Sequence, residues 1–153
     1  MDEIEVDAFL ADAAETVQGK IYALGVGWNV IAAGQFPVRH ASLAVAIVVH
    51  VPYLATNEPH RIELRLEDSD GHPVPLGDAP PGAEAPDGKI YRVGGDIEMG
   101  RPAGLPAGDE QLVPLTITLR GLEFPRPDHY RFVVSADGED RKVLRIRVER
   151  LRR

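Results

Sequence analysis

The run Asp68-Ser69-Asp70-Gly71 sets two carboxylates at alternate positions directly before a glycine. Carboxylates at alternate positions before a glycine open a calcium loop, because oxygen ligands must converge while the backbone bends sharply. The bidentate glutamate that completes such a loop is missing at the required spacing, although Asp78, Asp87 or Asp96 could add oxygens from nearby loops. Asp and Gly are equally what a hairpin turn uses for conformational reasons alone. The turn is the simpler reading, and no metal or other cofactor is assigned.

His40, His50 and His60 are evenly spaced, which invites a shared metal. If the strands before Pro52 and after Pro59 form a hairpin, His50 points away from the core and His60 toward it. Imidazoles on opposite faces cannot hold one ion without a bulge, so they are read as residues at strand ends. No GxSxG or HExxH motif is present, and Gly25-Val26-Gly27 lacks the rest of a dinucleotide fingerprint. Asp12 with Glu15, or Asp68 with Asp70, could be called paired carboxylates. Nothing places either pair across a cleft, as glycoside hydrolysis requires. No catalytic residue is assigned.

The elements that must carry these residues read as strands. Ile62 to Glu67, Leu115 to Arg120, Tyr130 to Phe132 and Leu144 to Glu149 alternate apolar and polar residues, giving each segment one face for a core and one for water. A first strand holds Ile4, Val6, Ala8 and Leu10, and turns back at Val17-Gln18-Gly19-Lys20. A second strand is expected from Ile21 to about Ile31, with Tyr22, Leu24, Val26, Trp28 and Val30 as its core face. A third, from Ala41 to about Val51, is apolar on both faces, as expected of a strand covered on both sides. His129 to Ala136 and Lys142 to Glu149 form a hairpin. Tyr130 at its start matches the tyrosine corner of immunoglobulin-like sandwiches. The expectation is an all-β, antiparallel β-sandwich, immunoglobulin-like, of seven to eight strands. Residues 1–153 form one domain, with a mobile loop at about residues 72–89.

Composition narrows the function. The net charge of −7 repels phosphate backbones and argues against nucleic acid. Acids crowd the first residues (Glu3, Glu5, Asp7) and bases the last (Arg141, Lys142, Arg145, Arg147), which reads as the wet face of the last strand, partly neutralised by the first. The chain has no cysteine, which excludes disulfides and thiolate metal sites. No apolar run approaches a membrane span and the amino terminus lacks a secretory pattern, so no membrane contact and a cytoplasmic location are expected.

Two functional readings remain. Ala23, Gly25 and Gly27 on the second strand, with Ala44, Ala46 and Val48 on the third, could form an outer patch of small residues. That favours a non-catalytic protein working through protein–protein contact or self-association, as a homodimer or part of a larger assembly. The alternative is a small-ligand binder or enzyme with a site at the sandwich end under the 71–108 loop, using Asp70, His72, Asp96 and Arg101.

The segments Leu10-Ala11-Asp12-Ala13-Ala14, Gly19 to Trp28, Val51-Pro52-Tyr53, Arg101 to Gly108 and Tyr130-Arg131-Phe132 resemble an uncharacterised family of small single-domain proteins, a domain of unknown function, from high-GC bacteria. The resemblance spans nearly the whole chain, residues 77–88 excepted. It implies a single domain and lends no catalytic residues.

Overall fold

Leu43, Val45, Ile47, Val49 and Val51 are wholly buried on one face of β4 (Val38–Val51), and two sheets are arranged around them. In the computed structural model, which describes residues 3–152, β4 lies inside a four-stranded antiparallel sheet. Its neighbours are β1 (Glu5–Val17) and β10 (Gln111–Phe124), and β2 (Lys20–Val26) pairs with the far side of β1. The second sheet runs β3 (Val30–Ala33), β12 (Glu139–Arg150), β11 (Asp128–Ala136), β5 (Pro59–Glu67). The far side of β5 is shared by β6 (Pro73–Val74) and β9 (Arg92–Glu98). All pairings are antiparallel except that of β3 with β12. Eight strands have seven residues or more, which matches an all-β sandwich.

The alternating residues of the two sheets meet in one core. Leu64, Leu66, Phe132, Val134, Ile146 and Val148 face the β4 row. Two devices keep the alternation in phase. Gly121, with φ of 64°, resets β10 so that Leu119 and Leu122 both point inward. The Tyr130 hydroxyl donates to the Arg126 carbonyl at 2.6 Å, and its ring meets Phe124 edge-on at 5.0 Å. The tyrosine corner is therefore present.

The segment between β6 and β9 pairs on itself as a ribbon, β7 (Gly77–Asp78) with β8 (Lys89–Ile90), and lies beside β10. Val74 and Leu76 anchor its start in the core.

Two expectations need correction. The proposed strand from Ile21 to Ile31 is two strands in different sheets, because Gly27 (φ of 90°) breaks it before Trp28 and Asn29. Its expected core face is the exposed one: Tyr22 is 60% exposed, Leu24 75% and Val26 56%. The reason is that β2 is an edge strand. The hairpin tip reaches across β4 to β10, where the Thr16 and Thr116 hydroxyls lie 3.2 Å apart, and Ile21 and Ala23 are the half-buried side. Likewise β4 and β5 do not form a hairpin; they belong to opposite sheets, joined by the short 3-10 turn Tyr53–Ala55. Among the described residues no helix is long and apolar enough to cross a membrane.

Candidate functional site

Exposed apolar side chains on the two sheets concentrate along β2 and the groove at its end. A two-residue turn, Gln18 and Gly19, both with positive φ, connects β1 to β2 as a tight hairpin. β2 pairs with β1 from Lys20 to Val26 and has no strand on its other side among the described residues. Between Ile21 and Val26 it carries no charge and no proline. Proteins normally blunt such an edge with charge, proline, a bulge, shortness or a cover. The remaining edges follow that rule. β3 is four residues long, β6 opens on Pro73, β9 carries Arg92, Asp96 and Glu98, and β10 carries Pro114 and the Gly121 irregularity, with β7 beside its end.

Gly25 adds a local irregularity to this edge. Its φ of 70° is left-handed, and a Cβ there would run into the Asp12 carboxylate that lies over it. Its carbonyl accepts a hydrogen bond from Trp28 Nε1 at 2.7 Å, which fixes the indole beside Gly27. From there a groove of about 490 Å³ opens between β1 and β12, lined by Phe9, Gly27, Trp28, Lys142, Val143 and Arg145 among others. Phe9 and Val143 are exposed, and Trp28 is half-buried.

The expected outer patch is split by this geometry. Ala44 and Ala46 are wholly buried within the single chain and so present no contact surface. Val48 is half-buried, as is Ala23, whereas Gly25 and Gly27 remain at the β2 edge. Sequence reasoning passed over Tyr22, Leu24 and Val26 as contact residues because it assigned them to the core.

The four residues of the alternative site are divided between opposite ends of β5. Asp96 pairs with Arg61 near its start, at 3.3 Å. Arg101 is at that same end, donating from Nε to Thr56 Oγ1 at 2.9 Å and from Nη2 to the Tyr53 carbonyl at 2.6 Å, with its guanidinium over the Tyr53 ring. Asp70 and His72 follow the other end of β5, beside Asp68, and their ligand atoms lie within 4.8 Å of one another. Asp68, however, is committed to the fold. Oδ1 accepts the amides of Asp70 and His72 at 2.9 Å each, and Oδ2 accepts Arg126 Nη2 at 2.8 Å. Burial pushes the Asp68 carboxyl up, but those amides and the guanidinium outweigh it and hold its pKa below the usual value. The guanidinium also supplies a positive charge where a cation would have to sit, so the turn reading explains the cluster.

The histidines are separated as well. His50 stands on the outer side of β4 between Glu110, 2.9 Å from Nδ1, and Asp7, 2.7 Å from Nε2. Those two hydrogen bonds raise its pKa against the opposing effect of burial. His60 is buried with Asp137 and the Ala55 carbonyl. His40 packs near Trp28, ring centroids 6.0 Å apart.

Comparisons with known proteins place these features in context. The model of the Family of unknown function (DUF6941) matches residues 6–149. No curated protein matches. Among solved structures, similar ones include a beta-glucosidase from Listeria innocua in complex with isofagomine, at 15% identity and a TM-score of 0.46. The same enzyme in complex with glucose gives 15% identity and 0.47. In each case the likeness covers 96% of this chain but only 16% of the enzyme chain.

Proposed function

The chain belongs to DUF6941, a family of unknown function, and we propose that it is a non-catalytic β-sandwich acting through protein–protein contact along β2. The observation that carries this reading is the edge itself: seven residues with Tyr22, Leu24 and Val26 in solvent and no protective charge from Ile21 to Val26. An open edge offers main-chain hydrogen bonds to an incoming strand, and alternate side chains supply apolar contact. Of the polar groups of the competing ligand site, Asp96 is paired with Arg61 and Arg101 is bonded to the 53–56 turn, while Asp70 and His72 stand at the opposite end of β5.

A photo-cross-linking residue at position 24, with exposed Arg147 as the control position, tests the reading. A discrete adduct from position 24 and none from 147, with a second copy or with another protein, supports it. Equal yields from both positions, or no adduct, overturns it.

A further inference from the structure

The charges around β2 indicate what kind of strand it receives. Lys20 stands at the start of β2, and Lys142 and Arg145 line the groove with Gly27 just past its end. None of the three has a carboxylate within ion-pair distance among the described residues. The chain has a net charge of −7, and nine of its other lysines and arginines do have a carboxylate partner. The acids nearest β2 are on the neighbouring strand β1, where Glu15 lies opposite Tyr22 and Asp12 lies over Gly25, one strand in from the free edge. The residues of β2 itself, with the two cations of the groove past its end, read basic, apolar, basic along the length of the edge.

From this we infer that β2 receives an extended apolar segment flanked by acidic residues at both ends, added as a further strand of the four-stranded sheet. The inference rests on the contact reading above and names its partner class. Main-chain hydrogen bonds to the edge supply affinity, and alternate apolar side chains cover Tyr22, Leu24 and Val26. The terminal carboxylates meet Lys20 at one end and Lys142 with Arg145 at the other, which sets orientation and suppresses wrong partners. A second copy paired through the same edge fits less well. An antiparallel β2–β2 pairing centred on Ala23 would set the other copy's first residue, a lysine, opposite Val26, beside Lys142 and Arg145. Like charges would then meet at both ends.

Two synthetic peptides of alternating valine and threonine test the inference, one flanked by paired glutamates and the other by paired lysines. Binding to the whole chain is followed by peptide anisotropy and by emission of Trp28, the single tryptophan, which lines the groove. The glutamate peptide is expected to bind at least about tenfold more tightly at low salt, with the advantage shrinking as salt screens the charges. The double variant Lys142→Glu with Arg145→Glu narrows or reverses that preference, and Leu24→Lys weakens both peptides. No binding by either peptide, or equal binding indifferent to the charge reversal, overturns the inference. If position 24 still cross-links to a discrete protein in that case, the contact reading survives with a different occupant. If it does not, both fall.

Discussion

The His60 imidazole is held between the Asp137 carboxylate and the Ala55 carbonyl, each 2.7 Å from a different ring nitrogen. A carbonyl and an ionised carboxylate only accept hydrogen bonds, so the protonated ring, with a donor on each nitrogen, is the form that satisfies both. Burial pushes its pKa down, but Asp137, the Ala55 carbonyl and nearby Glu58 outweigh that and raise it.

A raised histidine pKa stabilises the fold fully below the unfolded value of about 6.5, and that contribution is lost as pH rises through the folded value. Asp137 works in the opposite direction. Burial pushes it up, yet His60 and the Arg61 amide hold it low, so its share is present above about 3.9 and lost on acidification. Resistance of the wild type to urea should therefore fall as pH rises from about 6.5 through the folded value, and His60→Leu should remove the part due to His60. A His60 ring titrating by NMR at or below the free value would contradict the cation.

Tyr130→Phe tests the corner. The variant keeps the buried ring against Phe124 and loses the hydroxyl bond to the Arg126 carbonyl. The expected cost is about 1 kcal/mol, read as a lower denaturation midpoint with an unchanged slope. A neutral result would mean that water replaces the hydroxyl without penalty.

Asp68→Ala leaves two amides and the Arg126 guanidinium without their acceptor at a buried position. A loss of roughly 1–3 kcal/mol is expected, with Asp68→Asn milder because it keeps an acceptor oxygen. Millimolar calcium should leave the wild-type melting temperature unchanged. An upward shift that Asp68→Asn abolishes would revive the metal reading.

Gly94→Ala should be far worse than Gly95→Ala. A Cβ at Gly94 would run into the Ile62 carbonyl oxygen across the β5–β9 pairing, whereas one at Gly95 meets nothing. Overpacking against rigid backbone costs about 1–3 kcal/mol, and the Gly95 variant should stay within about 0.5 kcal/mol of wild type. Equal melting temperatures would show that β9 can lift away freely.

Strict alternation marked β5, β10, β11 and β12 in the sequence because each buries one face against the opposite sheet. The two-sided apolar character of β4 was legible for the same reason, with Leu43 to Val51 on one face and Ala44 and Ala46 on the other. Alternation cannot say which face is the inner one when a strand lies at an edge. Tyr22, Leu24 and Val26 alternate as well as any core row, yet nothing among the described residues covers them, since the hairpin tip sets its smaller side toward β10. The candidate site was missed for that one reason. Long-range ion pairs such as Arg65 with Asp140, or Arg141 with Glu3, also leave no local pattern, although the opposite charges of the two chain ends hinted at the second.

The place of β12 between β3 and β11 has a consequence for biosynthesis. Residues 30–33 leave the ribosome early but have no sheet neighbour until residues 147–150 follow them. The amino-terminal hairpin can close at once and β5 can pair with β9 by residue 98, whereas β3 waits for β12. During that interval the nascent protein exposes the inner faces of strands already made, so translation speed and holdase chaperones should govern its yield more than equilibrium stability does.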